Sequence, residues 1–111
     1  MRDEKILLED ILSSIKIIEN AMKGLSEVTF KGDKILQGGL IWRLSIIGEA
    51  SKHLTKNLKN KHVEVDWRNI AGMRDFLIHE YFEIDMHVVW KTAKEDVPVL
   101  KKAVKEMLRG L

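Results

Sequence analysis

The sequence predicts an all-α protein, a four-helix up-and-down bundle, and three observations lead to that fold class. Proline occurs only once in 111 residues, so little in the chain interrupts a helix. Apolar residues make up 45% of the chain and recur at spacings of three and four in four separate segments. The connections between those segments are short, as in antiparallel bundles. Residues 1–111 are therefore expected to form one domain.

The first predicted helix runs from about Asp3 to Gly24. The second runs from about Asp33, whose carboxylate can cap it, to Leu58. The segment SEVTFKG between them is predicted to be a loop. Gly48 lies inside the second helix, where glycine costs about 1 kcal/mol relative to alanine, and we interpret it as a point of close helix packing. Each helix has an apolar stripe of helical period, formed by Leu7, Ile11, Ile15, Ile18, Met22 and Leu25 in the first and by Leu40, Leu44, Ile47, Ala50, Leu54 and Leu58 in the second.

The third predicted helix starts near Asp66, a good N-cap, and ends near Glu80. The fourth starts after Asp85, another cap, and ends at Arg109. Pro98 falls inside this fourth helix. Because a proline ring displaces the carbonyl four residues back, a bend is expected there. The stripe of the fourth helix consists of Val89, Ala93, Val97, Leu100, Val104 and Met107.

Composition excludes several classes of protein. The chain has no cysteine, so it has neither a disulfide framework nor a thiolate metal site. No run approaches the roughly 20 apolar residues of a membrane span, and the charged start MRDEKILLEDILSSIK is unlike a secretory signal. We therefore expect a cytoplasmic protein. The net charge of +2, from 19 basic and 17 acidic residues, does not by itself indicate a nucleic-acid-binding protein.

The segment 67–85, WRNIAGMRDFLIHEYFEID, holds the residues of chemical interest. Arg74 and Tyr81 share one helix face with apolar neighbours, where a guanidinium is costly without an anionic partner. The plain alternative is an arginine whose stem packs while its head reaches water or a carboxylate. His79 lies about 140° around the helix from Arg74 and about 7.5 Å along it, so two copies related by a two-fold axis would bring both to one phosphate more easily than one copy. Asp75 shares a face with His79 and can hold the imidazole or the arginine, or form an ordinary surface pair.

The order Arg74, four residues, His79, one residue, Tyr81 resembles the R-x4-H-x-Y signature of the HEPN superfamily, in its HepT-like toxin branch. Flanking stretches resemble the same branch, namely residues 46–50 (IIGEA), 67–75 (WRNIAGMRD), 88–90 (VVW) and 97–98 (VP). The resemblance therefore spans roughly residues 35–108.

This resemblance implies a metal-independent endoribonuclease without a cofactor, acting as a homodimer whose two motifs meet in a cleft. Arg74 would bind the scissile phosphate, and His79 would act as general base or acid toward the ribose 2′-hydroxyl of RNA. Asp75 would orient one of these two side chains. The resemblance also implies the toxin of a type VII toxin–antitoxin system, in which a nucleotidyltransferase antitoxin attaches AMP to Tyr81. The alternative for Tyr81 is a helix-end tyrosine packed on the core.

Some residues outside the motif are weaker candidates. Glu49 is a supporting candidate beside the motif, or else a solvated helix residue. Lys52, Lys56 and Lys59 belong to a basic run that can track RNA phosphates, or that complements the dipole at a helix C-terminus. No metal site is expected, because the other histidines show no ligand spacing; these are His53, His62 and His87.

Two other interpretations stay open. One is a non-catalytic HEPN subunit that binds nucleotides or docks a nucleotidyltransferase, and the other is a plain helical oligomerisation domain. The intact Arg74, His79 and Tyr81 favour the nuclease, because a docking domain has no need of that trio.

Overall fold

The protein is helical, without strands, throughout the part that its computed structural model describes: residues 3–79 and 83–111, with the backbone alone for 76–79. The all-α prediction is confirmed. No helix in this part is long and apolar enough to cross a lipid bilayer. The described elements are α1 (Glu4–Met22), α2 (Glu27–Lys31), α3 (Lys34–Lys52), α4 (Lys56–Asn60), α5 (Trp67–His79), α6 (Met86–Lys91), a π-helical turn (Thr92–Asp96) and α7 (Val97–Arg109).

The long helices α1, α3, α5 and α7 surround one hydrophobic core. Helix α3 packs against both α1 and α5, and α1 also packs against α7. All the stripe residues predicted for the first, second and fourth helices are buried, except Leu25 and Leu58, which are partly buried against the core. Removing these side chains from water is the main term that stabilises the bundle.

The segment predicted to be a loop, SEVTFKG, contains the short helix α2, so that prediction is wrong. Ser26 caps the helix by accepting a hydrogen bond from the backbone N–H three residues on, at 3.2 Å. The ring of Phe30 is fully buried, with its centroid 5.3 Å from that of Trp90. The side-chain amide of Gln37 donates to the carbonyl of Phe30 at 2.9 Å. One capping residue and one buried ring therefore order this segment.

The second predicted helix is too long, because α3 ends at Lys52. The backbone N–H of Thr55 donates to Glu4 Oε1 of α1 at 2.7 Å, which satisfies a backbone group at the break. The hydroxyl of Thr55 then caps α4 by accepting a hydrogen bond from the N–H of Leu58 at 3.3 Å. Leu54 and Leu58 still contact the core on either side of this cap, so the apolar stripe continues where the helix does not.

The fourth predicted helix is interrupted by the π-helical turn, directly before Pro98 in the first turn of α7. The N–H of Val97 bonds to the carbonyl of Thr92, five residues back rather than four. A proline has no N–H, and its ring would meet the carbonyl four residues back in a regular helix. The wider turn accommodates the ring. Pro98 was predicted inside a continuous helix and instead lies in the first turn of α7, and the bend expected there stays a prediction.

Gly48 lies where α3 and α5 approach each other closely, as predicted. A β-carbon at Gly48 would lie 2.9 Å from the carbonyl oxygen of Ile70 and 3.1 Å from the backbone nitrogen of Arg74, both tighter than ordinary contact. Only a hydrogen fits between the two helices here. The α3 backbone therefore lies directly against the part of α5 that carries Arg74.

An apolar groove of about 390 Å³ lies on the surface between α1 and α3. Its walls include Ile17 of α1 and Ile35, Gly39 and Trp42 of α3. Ile35 and Trp42 are 90% and 62% exposed. Helix α3 thus has apolar side chains both toward the core and toward solvent.

Candidate functional site

Helix α5 is fixed at its start by polar contacts. The carboxylate of Asp66 accepts a hydrogen bond from the backbone N–H three residues on, at 3.1 Å. The indole N–H of Trp67 donates to two backbone carbonyls, one in α4 and one just after it, at 3.1 and 3.0 Å. Ile70 and Met73 are buried against the core. Arg74, the next residue, is therefore placed at the edge of the core rather than inside it.

The guanidinium of Arg74 is held by two carboxylates from different helices. Its Nε lies 3.0 Å from Glu49 Oε2 on α3, and its Nη1 lies 3.3 Å from Asp75 Oδ1 on α5. The Arg74 side chain is 36% exposed. A guanidinium is planar, with donors in fixed directions, so two partners fix its orientation. The stem of Arg74 lies against Gly48, and its guanidinium reaches carboxylates. This is the alternative considered for Arg74 from the sequence, an arginine whose stem packs while its head reaches water or a carboxylate.

Lys52 completes this group of charges. Its Nζ lies 2.9 Å from Asp75 Oδ2, so each oxygen of Asp75 faces a cation. The hydrogen bond from Lys52, aided by the charge of Arg74, holds the pKa of Asp75 below the ordinary range of aspartate. Asp75 therefore stays ionised at neutral pH. We refer to Glu49, Lys52, Arg74 and Asp75 as the Arg74 cluster.

His53 extends the Arg74 cluster on its α3 side. Its Nε2 lies 3.3 Å from Glu49 Oε1, while the other oxygen of Glu49 holds Arg74. Both His53 and Glu49 are about half exposed. The last turn of α3 therefore presents Glu49, Lys52 and His53 together beside Arg74.

A surface depression of about 520 Å³ runs along α5 on the N-terminal side of the cluster. Its lining combines polar groups of Arg68 and Asn69 with apolar groups of Met73 and Val88. Gly72 also lines it, one helical turn before Asp75. Arg74 itself is not among the residues that line this depression.

The chain matches the pattern of a known protein family, described as “Ribonuclease HepT-like”, over residues 11–107. It belongs to the HepT-like family. A relative from Thermococcus cleftensis, named “Probable ribonuclease HepT”, is 47% identical over 100 residues, which cover 90% of this chain and 91% of the relative. A relative from Caldanaerobacter subterraneus subsp. tengcongensis, named as a “Putative RNase”, is 41% identical over 109 residues, which cover 98% of this chain and 97% of the relative. No solved structure matches the chain.

The side chains of two residues of the HepT-like motif fall outside what the structure describes. Helix α5 ends at His79, of which only the backbone is described, and Tyr81 lies wholly outside the described residues. The roles of His79 and Tyr81 and the expected contact between Asp75 and His79 therefore stay predictions. Of the partners expected for Asp75, the structure places Arg74 against it.

The three lysines predicted as RNA contacts of this HepT-like chain occupy different places. Lys52 joins the Arg74 cluster. Lys59 donates to the carbonyl of Ser51 in the last turn of α3 at 3.3 Å, which is the helix-end contact that formed the alternative prediction. Lys56 is exposed on α4. Only Lys52 of the three is therefore brought to Arg74.

Glu49 was the weakest of the predicted site residues, and the structure brings its carboxylate to Arg74. Sequence reasoning placed His53 only in the basic run and missed its pairing with Glu49, although the spacing of four on a helix is a usable signal. Among the described residues, no group of three or more histidine, aspartate and glutamate side chains is arranged to hold a metal ion. RNA cleavage without a metal ion stays a prediction.

Proposed function

We propose that this HepT-like protein is an endoribonuclease that cleaves RNA without a metal ion, with Arg74 and His79 as its catalytic residues. The observation that carries the proposal is the guanidinium of Arg74, held at the surface in a fixed orientation by Glu49 and Asp75. A phosphate presents the same kind of paired oxygens as a carboxylate, so it can take the place of either partner. The names of the relatives, which refer to ribonucleases, agree with this proposal.

The proposed reaction is an internal transesterification. The ribose 2′-oxygen forms a bond to the neighbouring phosphorus, and the bond from phosphorus to the 5′-oxygen breaks. The imidazole of His79 can take the proton of the 2′-hydroxyl or supply the proton to the departing 5′-oxygen, and water exchanges the other proton. Arg74 would stabilise the charge that develops on the phosphoryl oxygens. The products are an RNA ending in a 2′,3′-cyclic phosphate and an RNA starting with a 5′-hydroxyl.

The test is cleavage of an RNA oligonucleotide in the presence of EDTA. We expect His79→Ala to lower the rate by about 10²- to 10⁴-fold, the usual contribution of a general acid or base, with an unchanged circular dichroism spectrum. His87→Ala is the matched control, because His87 is a half-exposed histidine paired with Glu27, outside the Arg74 cluster. An RNA with 2′-O-methyl groups throughout should resist cleavage. Undiminished cleavage by His79→Ala would contradict the assignment.

We further propose that the site combines Arg74 of one protomer with His79 of the other in a homodimer. The five-residue spacing supports this, because it turns the two side chains about 140° apart on one helix. Mixing the inactive Arg74→Ala and His79→Ala variants tests it. Random exchange of subunits should restore about a quarter of wild-type activity, because half the dimers are mixed and each of those has one intact site. No recovery would show that each chain supplies both groups to its own site.

We also propose that the protein is the toxin of a type VII toxin–antitoxin pair, silenced when a nucleotidyltransferase antitoxin attaches AMP to Tyr81. Each AMP adds bulk and a negative phosphate close to the site for an anionic backbone, so RNA would be repelled. Incubation with a nucleotidyltransferase of the antitoxin class and with ATP should add AMP to the wild type and not to Tyr81→Phe, as read by intact-mass spectrometry. The same adduct on both proteins, or on neither, would refute this assignment.

A further inference from the structure

Lys52 makes a contact between α3 and α5 that lies beside the proposed Arg–His chemistry. Its Nζ is 2.9 Å from Asp75 Oδ2, and its side chain is 32% exposed. Arg74 takes the other oxygen of Asp75 at 3.3 Å. The carboxylate of Asp75 is thus divided between two cations, one from each helix.

The net charge of the Arg74 cluster depends on the presence of Lys52. Glu49 and Asp75 bring two negative charges to the single positive charge of Arg74, and Lys52 brings the sum to zero. Without Lys52, Asp75 is able to turn both oxygens toward the guanidinium in a bidentate pair. An RNA phosphate would then approach an arginine enclosed by a surplus of negative charge.

We propose that Lys52 is a positioning residue of the ribonuclease site, which keeps Arg74 accessible to phosphate by holding one oxygen of Asp75. This inference rests on the proposed function. The lowered pKa of Asp75, to which the Lys52 hydrogen bond contributes most, supports the strength of the contact. Lys52 acts here through Asp75 rather than by touching RNA, which separates this role from the phosphate contact expected of the basic run.

Steady-state cleavage kinetics of Lys52→Met test the proposal. We expect KM to rise about fivefold, because phosphate binding through Arg74 is weakened, and kcat to fall as well, because the same guanidinium stabilises the charge that develops on the phosphoryl oxygens. Lys52→Arg, which retains a cation, should restore KM. Lys101→Met is the matched control, because Lys101 forms a similar pair between helices, 2.9 Å from Glu19 and 28% exposed, away from the site. An unchanged KM in Lys52→Met would overturn the proposal.

The Asp75→Asn background separates positioning from direct RNA binding. If Lys52 acts through Asp75, adding Lys52→Met to Asp75→Asn changes KM no further. If Lys52 touches an RNA phosphate, Lys52→Met raises KM by the same factor in both backgrounds and reduces the salt dependence of binding by about one ion. The second result would overturn the proposal.

An NMR titration of the Asp75 carboxyl tests the contact in the absence of RNA. We expect Lys52→Met to move the pKa of Asp75 upward toward ordinary aspartate, and Lys101→Met to leave it unchanged. If the pKa of Asp75 is the same in Lys52→Met as in wild type, the positioning role is overturned. A wild type that cleaves no RNA would overturn the proposed function together with this role. An active wild type whose KM and Asp75 pKa are both unchanged by Lys52→Met would overturn this role alone.

Discussion

Replacing Gly48 with alanine is the most direct test of the packing that brings α3 to Arg74. The added β-carbon would meet the carbonyl oxygen of Ile70 at 2.9 Å, the backbone nitrogen of Arg74 at 3.1 Å and the β-carbon of Arg74 at 3.2 Å. Two of these atoms are backbone and the third is fixed directly to it, so no flexible side chain can move aside. Helix α5 as a whole must therefore retreat from α3.

Two opposing terms set the size of the effect. Relief of the contact requires α5 to move by about half an ångström to reach ordinary van der Waals distance, and overpacking of this kind costs about 1–3 kcal/mol. Alanine in a helix is favoured over glycine by about 1 kcal/mol. The packing term is the larger of the two. We therefore expect Gly48→Ala to lower the free energy of unfolding by up to about 2 kcal/mol and Tm by up to about 10 °C.

Thermal unfolding followed by circular dichroism measures this difference. Gly38→Ala and Gly39→Ala are matched controls in the same helix, because a β-carbon at either position meets nothing within 4 Å. Both should gain the helix preference without the clash and raise Tm by a few degrees, about 1 kcal/mol in stability. A Gly48→Ala protein that melts at or above the temperature of Gly38→Ala would refute the packing argument.

Two further predictions concern α2 and its surroundings. Phe30→Ala should lower the free energy of unfolding by about 3–5 kcal/mol in urea denaturation, because it leaves a cavity beside Trp90, whereas a loss below about 1 kcal/mol would show that the site collapses. The pKa of Glu27 is lowered first by its hydrogen bond with His87 and then by that with Lys31. The contribution of ionised Glu27 to stability is therefore full above the ordinary glutamate range and is lost as pH falls through the lowered pKa. Glu27→Gln should therefore lose less stability on acidification than wild type, and equal acid profiles of Tm would contradict this.

The helical stripes were predictable because burial repeats with the period of the helix, whatever the rest of the chain does. The errors arise where contacts between distant segments decide local structure. At the break between α3 and α4, a carboxylate of α1, that of Glu4, accepts a hydrogen bond from the N–H of Thr55. Similarly, α2 is held by the packing of Phe30 on Trp90. Neither partner can be identified from the local pattern.

Part of the site was predictable from local sequence alone. The motif placed Arg74 and Asp75 next to each other in sequence, so their pairing needed no tertiary information. The position of Glu49 beside Arg74 follows from the close approach at Gly48, one residue earlier on α3. The place of Lys52 could not be inferred, because several lysines of the same run look alike in sequence and only the packed helices bring this one to Asp75.

The three tryptophans of the chain occupy environments that fluorescence can separate. Trp42 is 62% exposed in the groove between α1 and α3, while Trp67 and Trp90 are partly buried against the core. A water-facing indole emits at longer wavelength and is readily quenched by acrylamide, so Trp42 should dominate the quenchable, red-shifted emission. Any molecule that covers this groove would shift that emission to the blue and shield it from quencher. The protein therefore contains an intrinsic optical probe of this surface that requires no label.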